Sequence, residues 1–81
     1  MKYHFVIEQA AFRFLLQCAP RERRFLHEAF CRLADAPFHE PDLREVAQGR
    51  ELLTRFFGPF SVTYWLDHPV REVRIVLIFR D

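Results

Sequence analysis

Residues 72–80 alternate cleanly on one side: Val73, Ile75, Leu77 and Phe79 are all apolar, while Glu72, Arg74, Val76, Ile78 and Arg80 form a mixed opposite side. Period-two alternation with one fully apolar row marks a half-buried strand, and so dry a row needs a second layer over it. The first half of the sequence supplies that layer as helices. Residues 9–18 put Ala11, Phe12, Leu15 and Leu16 on one helical stripe. Residues 21–35 repeat the pattern with Phe25, Leu26, Ala29, Phe30, Leu33 and Ala34, leaving Arg21, Arg23, Arg24, Glu28 and Arg32 between them. Pro20 ends the first helix and suits the first turn of the second.

The remaining segments complete a sheet. Residues 2–8 alternate, with Tyr3, Phe5 and Ile7 on one side, and read as a strand. Residues 36–42, with Pro37 and Pro41, stop the second helix and form a loop, and residues 43–49 read as a short helical turn or irregular chain. Strands are expected at 52–57, 60–66 and 72–80, with turns at Gly58-Pro59 and at 68–71. The order β-α-α-β-β-β predicts an α+β fold, a helical hairpin packed on one face of an antiparallel four-stranded sheet. With 81 residues there is room for one domain, 1–81.

Register decides which side chains share the uncovered face. Phe60, Val62, Tyr64 and Leu66 are expected to point inward, Ser61, Thr63, Trp65 and Asp67 outward, and Trp65 should oppose Arg74. A two-residue turn at Gly58-Pro59 would send Arg55 toward the core, so a three-residue loop or a bulge at Gly58 is expected instead. On that reading Arg55, Ser61, Trp65, Arg74 and Arg80 form an open binding face, with Arg55 and Arg80 at one end as candidate catalytic groups. The arginines could hold a phosphate or an acidic partner, or simply pair with Glu72 and Asp67. An outward Trp65 marks an interface or packs over Arg74 as a cation–π lid.

Charge and composition narrow the function classes. The 12 basic and 11 acidic residues nearly cancel, which argues against a polycationic nucleic-acid coat, and 51% hydrophobic content argues against disorder. All the basic residues except Lys2 are Arg, the side chain suited to bidentate carboxylate or phosphate contacts. The longest uninterrupted apolar run is 75–79, far short of a membrane span, and Glu8 interrupts any leader-like segment. Cys18 and Cys31 are expected as reduced core thiols in a cytoplasmic chain. His27 and Cys31, four apart on a helix, could reach one metal, but two ligands do not make a site, so no metal and no small-molecule cofactor are expected. His68 beside Asp67 could serve as a proton shuttle but lacks a neighbouring nucleophile. Arg21, Arg23 and Arg24 could touch a nucleic-acid backbone, with pairing to Glu28 the simpler account. No phosphate loop, CxxC pair or nucleophile elbow is present in the sequence.

Several segments resemble the RelE/ParE superfamily of toxins from type II toxin–antitoxin modules. They are Arg21-Glu22-Arg23-Arg24, Leu33-Ala34-Asp35-Ala36-Pro37, the run from Phe57-Gly58-Pro59-Phe60 through Tyr64-Trp65-Leu66-Asp67, and Glu72-Val73-Arg74-Ile75-Val76-Leu77. The resemblance spans nearly the whole chain. It implies messenger-RNA cleavage at the ribosome or inhibition of gyrase, with an antitoxin peptide that wraps the toxin. In the RNases, basic side chains stabilise the phosphorane charge without a metal, and an acid–base residue handles protons. This chain departs from that pattern. Ser61 stands where the family has a third-strand Arg, Thr54 and Phe56 occupy second-strand basic positions, and Arg80-Asp81 stand where the RNases continue with His, Tyr or a basic residue. The expected function is therefore a toxin-like protein acting by binding, with an antitoxin as partner and the ribosome or gyrase as target. The alternatives are an active metal-free endoribonuclease using Arg55 and Arg80, and an orphan interaction domain without toxicity.

Overall fold

The computed structural model describes residues 2–81. Strand β1 (His4–Ile7) leads into helices α1 (Gln9–Leu16) and α2 (Pro20–Asp35), followed by β2 (Leu43–Ala47), β3 (Arg50–Phe57), β4 (Phe60–Asp67), a 3₁₀ turn (His68–Val70) and β5 (Glu72–Arg80). The expected α+β architecture is present, with the helices on one face of one sheet. The sheet has five strands in the order β1-β5-β4-β3-β2. The extra strand is β2, which pairs antiparallel with β3 from Leu43↔Thr54 to Ala47↔Arg50. Its sequence, Leu-Arg-Glu-Val-Ala, lacks an apolar alternating row because it is an exposed edge strand with no core to face. An additional antiparallel strand also changes the parity of the chain: β5 returns parallel to β1, pairing His4↔Glu72 through Ile7↔Ile75, so the sheet is mixed.

The core lies between the helices and the centre of the sheet. Leu26, Phe30, Leu33, Val62, Tyr64, Val73 and Ile75 are fully buried there, and Phe5, Ile7 and Phe14 pack against them. On α1 the buried positions are Ala11 and Leu15, whereas Phe12 and Leu16, expected inside, point to solvent. An eight-residue helix beside a longer one has a narrow contact stripe, and Phe14 rather than Phe12 reaches the core, edge-on to Phe60. On α2, Pro20 occupies the first turn and Glu22 accepts the Ala19 backbone N–H at 2.9 Å; Ala19 has no side-chain oxygen to return the bond, so this is half a capping box.

Two turns correct the expected register. Phe57 pairs directly with Phe60, so the Gly58-Pro59 loop has two residues. Gly58 has φ +56°, and proline cannot follow with a positive φ, which leaves the type II′ geometry as the favoured two-residue loop. The bulge lies instead on β5. Thr63 pairs with Leu77 and Tyr64 with Ile75, so Val76 has no partner on β4. Beyond Val76 the faces exchange: Ile78 is buried under the helices, while Leu77 and Phe79, expected inside, lie on the open face.

A Cβ at Gly58 would sit 2.9 Å from Cζ of Phe25, whereas one at Gly49 (φ +76°) would meet nothing within 4 Å. Both positions carry left-handed strain for an L-residue, but only Gly58 also requires a ring to move. In urea denaturation Gly49→Ala should therefore cost about 1 kcal/mol and Gly58→Ala about 2 kcal/mol. Equal losses would show that Phe25 yields freely.

Candidate functional site

The five residues expected to share the open face divide between the two sides of the sheet. Trp65 opposes Arg74 as expected, and with Ser61 these two lie on the open face. Arg55 opposes Val62, and Arg80 opposes Phe60. Both Val62 and Phe60 are buried beneath the helices, so Arg55 and Arg80 are on the helix side. They remain together because two corrections cancel: the tight turn at Gly58 moves Arg55, and the bulge at Val76 moves Arg80. Standard sheet spacings put their Cα atoms about 12 Å apart.

Neither arginine is forced into the core. On β3 the same-side neighbours Leu53 and Phe57 are buried in the core, whereas Arg55 between them is only half-buried. Its guanidinium lies 4.9 Å from the centre of the Phe57 ring, with no acidic partner among the described residues. Arg80 lies where β5 passes beneath the α2 N-terminus. Its Nη2 donates to both carboxylate oxygens of Glu22 at 2.9 Å and approaches the Cys18 sulfur at 3.8 Å. The guanidinium is flanked by the rings of Phe14 and Phe60, 5.3 and 5.5 Å to their centres.

On the open face the charges are already neutralised. Arg74 donates from Nε to Glu8 at 2.8 Å and from Nη1 to Glu72 at 2.7 Å, which holds its guanidinium more firmly protonated than usual. Asp67, expected as a partner, is not used. Trp65 is covered chiefly by Arg50, 3.9 Å from the ring centre, with Arg74 at 5.8 Å. Its Nε1–H is buried without a hydrogen-bond partner among the described residues. Further along, Phe56 opposes Ser61 and Ser61 opposes Phe79, while Leu43, Thr54, Thr63 and Leu77 make the next row. Leu43, Phe56, Leu77 and Phe79 are all exposed, giving an apolar patch in two halves, Leu43 with Phe56 and Leu77 with Phe79, with Ser61 and the Thr54–Thr63 hydroxyl pair at 3.0 Å between them. Sequence alternation hid this patch by assigning Leu77 and Phe79 to the core. The five successive apolar residues 75–79 were the available sign that alternation breaks there.

Other candidates settle into structural roles. His27 is exposed and Cys31 half-buried, their Nδ1 and Sγ 4.0 Å apart, and no group of three metal-ligating side chains gathers among the described residues. Cys18 is buried and both thiols are free. His68 bonds the Tyr3 hydroxyl through Nδ1 at 2.7 Å and stacks on Phe38. Arg23 donates to the Cys18 carbonyl at 2.8 Å, and Glu28, the expected partner of the α2 arginines, makes no ion pair among the described residues. Among those residues no helix is long and apolar enough to cross a membrane.

The Ala19 backbone N–H, followed by Arg80, holds the Glu22 carboxyl below the ordinary glutamate range. A depressed folded-state pKa contributes stability above the unfolded value, near 4.3, which is lost as pH falls through the folded value. The difference in Tm between the wild type and Glu22→Gln should therefore be present at pH 6 and shrink steadily once the pH falls below about 4.3. A difference that persists undiminished there would remove the ion pair as its source.

The sequence matches no protein-family model and no curated protein. Solved structures do share the fold. A chain in the crystal structure of the toxin–antitoxin complex RelBE2 from Mycobacterium tuberculosis matches with a TM-score of 0.82 at 21% identity, covering 100% of both chains. A chain in the archaeal RelE–RelB complex from Pyrococcus horikoshii OT3 matches with a TM-score of 0.74 at 18% identity, covering 99% of this chain and 96% of that one. The RelE-like fold expected from the sequence is the fold of this chain.

Proposed function

We propose that the 81-residue chain is one toxin-like domain of a type II toxin–antitoxin module that acts in the cytoplasm by binding, and that a cognate antitoxin peptide holds it. The observation that carries this reading is the apolar patch of Leu43, Phe56, Leu77 and Phe79 on a fold shared, end to end, with chains of two toxin–antitoxin complexes. Exposed aromatics beside other apolar side chains supply the desolvated anchors on which protein interfaces depend. The open face offers little to RNA, because Arg74 is consumed by two carboxylates and Arg50 is laid over Trp65. The target of the free toxin is the ribosome or gyrase.

Induced alone in a bacterial host, the chain should arrest growth, and co-expression of the product of a short neighbouring reading frame should restore it. Phe79→Glu should keep the arrest and lose the rescue together with co-purification. Normal growth on induction would favour the orphan reading.

A second reading, a metal-free endoribonuclease, has one observation in its favour: Arg55 and Arg80 share a face, and Arg55 has no competing carboxylate among the described residues. Loss of one charge-stabilising group costs about 3 kcal/mol at a transition state. If this reading holds, Arg55→Ala and Arg80→Ala should each slow transcript cleavage at least a hundredfold; cleavage that is absent in the wild type would leave binding as the mode of action.

A further inference from the structure

Arg80 is poised to take an anion and already has one. One of its two terminal nitrogens, Nη2, carries both bonds to Glu22, while Nε and Nη1 make no hydrogen bond among the described residues. The side chain is 45% exposed, and that of Glu22 31%, so the pair sits at the surface within reach of a ligand. Arg21 adds attraction to Glu22 from the same turn, and Arg55, on the same side of the sheet, has no carboxylate partner among the described residues. Among those residues Glu22 is the single carboxylate bonded to this group of cations.

We infer that Glu22 is an internal competitor for Arg80, so that a phosphate-bearing ligand engages this end of the helix-side face only by displacing the Glu22 carboxylate. The inference rests on the second reading above, in which the face bearing Arg55 and Arg80 takes RNA. Displacement is feasible because Glu22 does not lose its last partner: the Ala19 N–H remains its hydrogen-bond donor, and its carboxylate stays at the positive end of α2. Arg80, stacked between Phe14 and Phe60, keeps its position when the carboxylate leaves, so the same guanidinium can turn its free edge to phosphate. An exposed ion pair of this kind is weak enough to exchange and strong enough to be measured.

The test uses a fluorescently labelled single-stranded RNA pentanucleotide at low salt, with inorganic phosphate as a second probe. It compares the wild type, Glu22→Gln, Arg80→Gln, the double variant and Glu28→Gln. Glutamine at 22 can still accept the Ala19 N–H, so α2 keeps its half capping box, and circular dichroism checks the fold. Glu22→Gln should bind the RNA about threefold to fivefold more tightly than wild type, the range expected from freeing one exposed ion pair. Glu28→Gln, which removes the same charge from an unpaired site on the same helix, should change affinity less than twofold. In the Arg80→Gln background the Glu22→Gln gain should vanish. An equal gain with and without Arg80, or from Glu28→Gln, would reduce the effect to net charge and overturn the inference. RNA binding that is indifferent to residue 22 would overturn the competition alone. No binding of either probe by any of the five proteins would overturn the RNA reading along with it, and would leave antitoxin capture untouched.

Discussion

One unopposed residue, Val76, governs how this molecule presents itself. Before it, β5 follows the plain pleat, and Val73 and Ile75 are sealed under the helices. After it, the strand turns over: Ile78 enters the core, Arg80 reaches the α2 N-terminus, and Leu77 and Phe79 face outward. Without the bulge Arg80 would join the open face, and the apolar patch would lose two of its four large members. The side chains buried under the helices and those exposed on the opposite face are thus set by the same local irregularity.

Much of the fold was legible because its strongest signals are periodic. The two helices, the three C-terminal strands and the Trp65–Arg74 register follow from spacing alone, since burial on one side enforces it. The edge strand β2 was not legible, because Arg44 and Glu45 face water and the ion pairs of Arg44 with Glu40 and Glu51 do not produce an apolar rhythm. The site was read in half. Arg55 and Arg80 were rightly kept together but assigned to the wrong side. The cost of burying Arg55 was judged as though its whole side chain had to enter the core, when the residue is only half-buried with its guanidinium against the Phe57 ring. Glu22, the partner of Arg80, could not be found from spacing, because that contact joins residues 58 apart in sequence.

The arginines divide the surface into regions of different readiness. Arg74 and Arg44 are each held by two carboxylates, which fasten β5 to the β1–α1 junction and β2 to its surroundings. Arg50 is spent on Trp65 and Arg23 on a helix-end carbonyl. Elsewhere the sheet carries exposed apolar side chains on one side, and on the other Arg55, without a carboxylate among the described residues, and Arg80, bonded to Glu22. A nearly neutral chain thereby carries two faces of different chemistry.

The parallel pairing of β1 with β5 has a kinetic meaning. The ion pair between Glu8 and Arg74 links positions 66 apart, and in the sheet β1 pairs with β5 alone. The first strand therefore has no neighbour to bond until a segment far along the sequence comes back to it. The polypeptide has to close its longest loop before its opening segment is held, so its shape is gained through distant contacts rather than near ones.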